Sequence, residues 1–218
     1  MPDQPSTRLI LVRHGESQVT VNKVIGGPRT CTGLSDLGRL QTEHLRDRLR
    51  ATGELKLAAL YASQYPRAQE TAEIIAAALG TLSIQVDAGF GEHDPGPECD
   101  GLTYDEFVAR FGQGHDWDNP FAETFPGGET VAQFHFRVGT ATHDLVRRHD
   151  GQTVLVACHG GVVDCLMRQL LRLPPTGGFE LYTLNTSITE LVRVAATTWR
   201  LVRYNDAAHL AGLPTSTN

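Results

Sequence analysis

Short apolar runs alternate along this chain with segments whose apolar residues recur every three or four positions. The first run, residues 8–12, is almost continuously apolar, as expected of a strand buried on both faces of a sheet. Similar runs predict strands at 57–61, 82–86, 153–157, 181–184, 188–194 and 198–204. Buried parallel strands need helices to connect them, so the intervening segments decide the fold class.

Helices are predicted in most of the intervals between these strands. One begins after Ser35, a favourable N-cap, and another near Pro66, a residue favoured in the first turn of a helix. Helical spacing also covers 103–111, 129–148 and 162–171. This alternation predicts an α/β protein, a three-layer α/β/α sandwich with a mostly parallel central sheet.

The chain has 218 residues and contains no internal repeat and no linker, which predicts a single domain spanning 1–218. The segment 87–128 is rich in glycine, proline and acidic residues, and we expect it to form an insertion over one end of the sheet. The polar tails, about 1–6 and 206–218, are expected to be loose.

Charge and composition narrow the class of protein. The net charge of −6 argues against binding to nucleic acid or to a membrane surface. Of the 19 cationic residues, 17 are arginine. No apolar run approaches the roughly 20 residues of a membrane span, and the first residues lack the features of a secretion signal. The four cysteines include no CxxC pair, which predicts reduced thiols and a cytoplasmic protein. The histidines show no tight ligand spacing, which predicts no metal site.

Three loops that follow predicted strands carry residues suited to an anion. Arg13 and His14 follow the first strand, and Arg67 opens a helix where its forked donors and the helix N-terminus both favour phosphate. His159 and Gly160 follow the most apolar strand and begin another helix. Since the carboxyl ends of parallel strands share one edge of a sheet, these loops are predicted to converge.

The order and spacing of five motifs identify a resemblance that extends from residue 8 to about 171. The motifs are RHGES at 13–17, LSxxG at 34–38, Ser63 with Arg67-Ala68 and Thr71-Ala72, Pro126-Gly127-Gly128-Glu129, and His159-Gly160. Together they resemble the histidine phosphatase superfamily, in the branch that contains phosphoglycerate mutases and small-molecule phosphatases. The resemblance implies a phosphoglycerate mutase-like fold.

The resemblance also implies roles for individual residues. His14 is similar to the nucleophile that accepts the phosphoryl group. The residues similar to those that bind the phosphate are Arg13, Arg67, His159 and Gly160. The resemblance implies that His159 is a catalytic residue as well. In this family cationic side chains neutralise the phosphate, which implies no cofactor.

A glutamate after the third strand protonates the leaving alcohol in this family, and Glu92 falls at that place. The sequence departs from the family pattern here, because the loop after Glu92 lacks an aromatic residue and is one residue longer. Asp94, Glu98 and Asp100 therefore remain competing proton donors.

The segment after RHGES is also unusual, with its asparagine later than in the family. Residues expected to line the substrate pocket are Thr20, Asn22, Arg29, Thr32 and Gly33. For Arg29 a solvated loop position is an equally good interpretation. Glu129 belongs to one of the five motifs, but a simple carboxylate at a helix N-terminus is an alternative interpretation of it.

The resemblance implies a metal-independent phosphatase that hydrolyses a small phosphorylated metabolite through a phosphohistidine. The first alternative is a cofactor-dependent phosphoglycerate mutase, which is disfavoured because 93–127 contains one arginine, Arg110, among several acids. A non-catalytic phospholigand-binding protein is the second. The sequence names neither the substrate nor the oligomeric state, monomer or homodimer.

Overall fold

Six strands form one sheet in the order β3-β2-β4-β1-β5-β6 in this computed structural model, which describes residues 6–80, 82–112, 116, 118–214 and 216. The strands are β1 (Thr7–Arg13), β2 (Ala59–Ala62), β3 (Ile84–Val86), β4 (Thr153–Cys158), β5 (Ile188–Ala195) and β6 (Thr198–Asp206). β1 to β4 are parallel to one another, whereas β5 runs antiparallel to β1 and to β6. The prediction of a mostly parallel sheet is confirmed.

Among the residues that the structure describes, six helices accompany the strands, and side-chain caps satisfy the first N–H groups of three of them. The six helices are α1 (Gln18–Val21), α2 (Asp36–Thr52), α3 (Pro66–Ala76), α4 (Tyr104–Phe111), α5 (Val131–Arg148) and α6 (Gly160–Leu171). Ser35 caps α2 by accepting the N–H of Gly38, and Thr103 and Thr130 form capping boxes at α4 and α5. Within the described ranges, no helix combines the length and the apolar character that crossing a membrane requires.

Alternate side chains of β1 enter two different cores. Leu9 and Leu11 pack in a cluster with residues of α5 and α6, whereas Ile10 and Val12 pack with residues of α2 and α3. Successive residues of a strand point to opposite faces of a sheet, so helices cover both faces here. The α/β/α sandwich predicted from the sequence is therefore confirmed.

One predicted strand is wrong. Residues 181–184 do not join the sheet, because side chains take the hydrogen bonds that a ladder would use. Asn205 Oδ1 accepts the N–H of Leu184 at 2.7 Å, and the Tyr204 hydroxyl donates to the carbonyl oxygen of Tyr182 at 2.7 Å. The segment forms a loop that passes over the end of β1.

The beginning of the predicted C-terminal tail is also not loose. β6 extends to Asp206, and a short 3-10 turn follows at Ala208–Leu210. His209 connects this turn to the body of the protein, since its ring lies 2.8 Å from Thr186 Oγ1 and its carbonyl oxygen lies 3.2 Å from His44 Nδ1. Residues 1–5, 215, 217 and 218 of the predicted tails lie outside the described residues.

The segment 87–128 separates β3 from α5 and contains a 3-10 turn at Ala88–Phe90 and the predicted helix, α4. Asp100 connects this segment to the loop after α1: its buried carboxylate accepts the backbone N–H groups of Gly27 and Arg29 at 2.9 and 2.8 Å. Residues 113–115 and 117 of the segment lie outside the described part of the chain.

Candidate active site

The ends of three parallel strands bring the predicted phosphate loops together. β4 lies between β1 and β2, with Arg13 opposite Cys158 in one pair and Ala62 opposite Ala157 in the other. The hydrogen-bonding pattern continues one residue further, since His14 N donates to Cys158 O at 2.9 Å and Ser63 N donates to Ala157 O at 3.0 Å. His14, Ser63 and His159 therefore leave the sheet side by side.

The turn after His14 is held by the first residues of α2 and by α3. A Cβ atom at Gly38 would overlap the carbonyl oxygen of Glu16, so the close approach of α2 to this turn requires glycine there. Ser35 Oγ donates to Glu16 Oε1 at 2.7 Å, and Thr71 Oγ1 accepts the N–H of Gly15 at 3.1 Å. Three of the sequence motifs thus serve to fix the backbone beside His14.

Each ring nitrogen of His14 has one hydrogen-bond partner. Its side chain is only 6% exposed, and Nδ1 lies 2.6 Å from the carbonyl oxygen of Gly15. Because a carbonyl oxygen accepts, Nδ1 carries the ring proton, and Nε2 accepts the N–H of Arg67 Nε at 3.1 Å. The lone pair of Nε2 therefore faces a guanidinium group.

Burial and neighbouring cations keep this ring neutral. The pKa of His14 lies well below its ordinary value because the ring is desolvated and because Arg67 and Arg13 add positive charge. A neutral imidazole with a lone pair on Nε2 is the form that can act as a nucleophile. The electrostatics of the site thus match the role expected of His14.

His159 lies beside His14 in an edge-to-face arrangement, with 5.1 Å between the two ring centroids. It is fully buried, and burial followed by the charge of Arg67 lowers its pKa well below the ordinary value. Its Nε2 is 2.6 Å from Ser63 Oγ, whereas its Nδ1 has no hydrogen-bond partner among the described residues. A buried polar atom without a partner is unusual and indicates a place for a ligand group.

The two arginines are held by different partners. Arg67 is 4% exposed and stacks over the ring of Tyr65 with 4.5 Å from Cζ to the ring centroid. Arg13 donates through Nη1 to the carbonyl oxygen of Thr183, and its buried Nε has no partner among the described residues. Burial lowers the pKa of Arg13 from its ordinary value. The structure therefore brings Arg13, His14, Arg67 and His159 together, as the sequence predicts.

A cavity of about 530 Å³ opens in front of His14. Its walls come from the ends of β1 and α6, from Glu92 and from the loop that replaces the predicted strand: Arg13, His14, Glu92, Gly160, Gly161, Asp164, Glu180, Leu181, Tyr182 and Thr183. Arg67 and His159 are not among the lining residues, but both contact His14. The acidic residues of this lining are Glu92, Asp164 and Glu180.

Of the four acidic residues proposed as proton donors, Glu92 alone lines this cavity. Its carboxylate accepts the N–H of Gly161 at 3.1 Å and that of His93 at 3.0 Å. The others have different partners: Asp94 pairs with Arg29, Glu98 with Arg110, and Asp100 with backbone N–H groups of the 27–29 loop. This arrangement favours Glu92 as the donor.

The residues expected to line a substrate pocket are placed elsewhere. None of Thr20, Asn22, Arg29, Thr32 and Gly33 lines the cavity in front of His14. Arg29 pairs with Asp94 at 3.0 Å and with Asp100 at 3.4 Å. Asp100 also accepts from Gly27 N and the Thr30 hydroxyl, so it holds this part of the segment against the insertion. A role of the five residues in substrate binding stays a prediction.

Sequence reasoning missed the residues that come from the end of the chain. Asn185 Nδ2 donates to the carbonyl oxygen of His14 at 2.9 Å, and Tyr182 and Thr183 line the cavity. No local motif connects Asn185 to a residue 171 positions away. Among the described residues, no group of three or more His, Cys, Asp or Glu side chains is placed to hold a metal ion.

Comparison with known proteins gives consistent matches. A family model described as the histidine phosphatase superfamily (branch 1) matches residues 9–207. A 2,3-bisphosphoglycerate-dependent phosphoglycerate mutase from Brucella anthropi is 33% identical over 197 residues, which cover 88% of this chain and 94% of that protein.

Solved structures agree with this assignment. YhfR from Bacillus stearothermophilus is 31% identical with a TM-score of 0.80, and the match covers 94% of this chain and 99% of that one. A mycobacterial glucosyl-3-phosphoglycerate phosphatase is 25% identical with a TM-score of 0.76, covering 92% and 99% of the two chains. On the extent of the family match, and with the fold and motifs in agreement, the chain belongs to branch 1 of the histidine phosphatase superfamily.

Proposed function

We propose that the protein is a metal-independent phosphatase that hydrolyses a small phosphate monoester through a phosphohistidine on His14. The observation that carries this proposal is the state of His14: a neutral ring whose Nδ1–H is held by Gly15 O at 2.6 Å and whose Nε2 faces Arg67 at 3.1 Å. Arg13, Arg67 and the unpartnered Nδ1 of His159 supply donors to the phosphate oxygens.

In the first step, the lone pair of His14 Nε2 attacks phosphorus and the bond from phosphorus to the alcohol oxygen breaks. The alcohol takes the proton of the Glu92 carboxyl group and leaves neutral, so the products are a phosphohistidine and an alcohol. The hydrogen bond from Nδ1 to Gly15 O stabilises the positive charge that develops on the ring.

In the second step, a water oxygen attacks phosphorus and the Glu92 carboxylate takes its proton. The bond from phosphorus to Nε2 breaks, its electron pair returns to the ring, and inorganic phosphate is released. Glu92 therefore acts as an acid in one step and as a base in the next, and it ends in its starting state.

The charge of the cavity wall supports hydrolysis rather than mutase activity. Beyond Arg13, the charged residues that line the cavity are Glu92, Asp164 and Glu180. A second phosphate or carboxylate on the substrate would lie beside these acids, which disfavours a bisphosphate. Arg110 and Arg29 do not offset this, because both are paired with acidic residues of the insertion.

A phosphoglycerate mutase is the second candidate, and one observation favours it: the relative from Brucella anthropi that is 33% identical carries that name. A mutase uses the same phosphohistidine but returns the phosphoryl group to a second oxygen of a phosphoglycerate instead of to water. The chemistry around His14 serves both reactions, so the acceptor decides between them.

The proposal is tested with p-nitrophenyl phosphate and a panel of alkyl phosphates in the presence of EDTA. Wild-type protein should release phosphate and form an acid-labile phosphoprotein, and His14→Ala should do neither. His143→Ala, which removes an exposed histidine on α5, should behave as wild type. Full activity in His14→Ala would contradict the mechanism, and rapid conversion of 3-phosphoglycerate to 2-phosphoglycerate with 2,3-bisphosphoglycerate would establish the mutase instead.

A further inference from the structure

The side chain of Arg137, on α5, holds the loop that leads to Glu92. Its Nη1 donates to the carbonyl oxygens of Ala88, Gly89 and Gly91 at 3.2, 3.2 and 3.1 Å. Its Nη2 donates to the carbonyl oxygen of Glu92 at 3.3 Å. Four carbonyl groups within five residues thus converge on one guanidinium group, which fixes the course of the backbone up to Glu92.

Glu129 orients this guanidinium group from the other side. Its two carboxylate oxygens accept from Nε and Nη2 of Arg137 at 2.9 and 2.7 Å, a bidentate pair in which the carboxylate is 13% exposed. The backbone N–H of Glu129 also donates to the carbonyl oxygen of Asp94 at 2.9 Å. The pair therefore holds both the residues before Glu92 and those after it.

The Glu92 side chain is fixed at its other end by α6. Its carboxylate accepts the N–H of Gly161 at 3.1 Å, and its carbonyl oxygen accepts the Tyr65 hydroxyl at 3.2 Å. The backbone N–H groups of Gly161 and His93 thus set the place of the carboxylate in the His14 cavity. Neither Arg137 nor Glu129 lines that cavity.

We propose that Arg137 and Glu129 are positioning residues for the proton donor, which hold the Glu92 carboxyl group at the distance from His14 that transfer to the leaving alcohol requires. This inference rests on the proposed function. Proton transfer needs hydrogen-bond distance in the reacting complex, and a misplacement of about 1 Å can cost about 10²-fold in rate. The two residues act through Glu92 and do not contact the substrate.

The leaving group separates this role from a structural one. An alkyl alcohol needs a proton to leave, whereas p-nitrophenolate is a stable anion and leaves without one. In Arg137→Met and Glu129→Gln, kcat/KM for an alkyl phosphate should fall by roughly 10- to 100-fold. kcat/KM reports formation of the phosphohistidine and not its later hydrolysis, in which Glu92 serves both esters, so kcat/KM for p-nitrophenyl phosphate should change little.

Two further variants control for the loss of an arginine. Arg148→Met removes another arginine of α5. The ion pair of Arg148 with Asp87, at 3.9 Å, is longer than that of Arg137 with Glu129, so this variant should leave both activities unchanged. Arg137→Lys keeps the charge without the forked donors and should restore part of the alkyl phosphatase activity. Thermal unfolding identifies any variant that is not folded.

Coupling to Glu92 gives the decisive measurement. In a Glu92→Gln background, Arg137→Met should cause no further loss on the alkyl ester, because the step it assists is already absent. A loss of equal size on both esters, or an additional loss in the Glu92→Gln background, would overturn the proposal.

Amide hydrogen exchange of residues 88–93 tests the same pair without turnover. Exchange should be faster in Arg137→Met than in wild type or Arg148→Met, and unchanged exchange would overturn the proposal. A wild-type protein without phosphatase activity, or an active His14→Ala, would contradict the proposed function instead, so the two failures are distinguishable.

Discussion

The Ser63 hydroxyl lies 2.6 Å from Nε2 of His159 and accepts the backbone N–H of Tyr65 at 3.2 Å. With one lone pair of the hydroxyl occupied by Tyr65, its proton can be donated to His159 Nε2. The single proton of the neutral ring then resides on Nδ1, the atom without a partner in the described structure. Ser63 thus leaves His159 with an unpartnered ring N–H, the donor that the proposed function assigns to the phosphate.

Ser63→Ala tests this relationship. Loss of the hydroxyl leaves a buried ring nitrogen unsatisfied, which costs about 1–3 kcal/mol. We expect kcat/KM for p-nitrophenyl phosphate to fall by roughly 10- to 100-fold, and Ser63→Thr, which keeps the hydroxyl, to retain much of the activity. Equal rates for Ser63→Ala and wild type would mean that His159 is oriented without this bond.

Acid should destabilise the protein before its carboxylates titrate. The pKa values of several histidines lie below the ordinary value, chiefly because burial desolvates the rings: His14, His93, His135, His159 and His209. An unfolded chain binds these protons below about pH 6.5, whereas the folded protein does not. The free energy of unfolding should therefore fall as the pH decreases from about 7 toward 5.

His209 isolates one part of this effect. Burial, followed by the charge of Arg48, lowers its pKa to about 4, and the residue is outside the active site. In His209→Gln, the decrease in Tm between pH 7 and pH 5 should be smaller than in wild type, whereas the exposed control His143→Gln should keep the wild-type dependence. An identical pH dependence of Tm in all three proteins would contradict the assignment.

The sequence was sufficient for the parts of the site that lie directly after parallel strands. Arg13, His14 and His159 follow β1 and β4, whose alternation with helices predicts parallel pairing and thus a shared edge. Glu92, expected as the proton donor, also lines the cavity in front of His14, despite the unusual loop that follows it. Periodicity and short motifs are local signals, and these residues are placed by local elements.

The rest depends on contacts between distant segments, which no local pattern contains. Asn185 reaches the backbone of His14, and Thr183 accepts from Arg13, in a segment whose apolar alternation predicts a strand. Arg29 has the charged guanidinium group that a substrate ligand needs, but the acids that it binds, Asp94 and Asp100, lie 65 and 71 residues away along the chain. Competition among possible partners is decided by the packed chain, not by the segment itself.

Asp100→Asn should loosen the loop between α1 and α2. The side chain is 1% exposed and accepts from Gly27 N, from Arg29 N and from the Thr30 hydroxyl. An amide would present a donor where only acceptors fit, so the free energy of unfolding should fall by about 1–3 kcal/mol. Urea unfolding measures this change, with Asp105→Asn on the exposed side of α4 as the control; equal effects of the two variants would contradict the account.

Gly161→Ala should displace the proton donor from the opposite side to Arg137. A Cβ atom at position 161 would overlap the Glu92 carboxylate, which cannot keep its hydrogen bond to the N–H of the same residue. We expect kcat/KM, which reports formation of the phosphohistidine, to fall by roughly 10- to 100-fold for an alkyl phosphate and to fall much less for p-nitrophenyl phosphate. Gly178→Ala, where no atom lies within 4 Å of the added Cβ, is the control. Undiminished alkyl phosphatase activity in Gly161→Ala would show that Glu92 does not act from the position that the structure gives it.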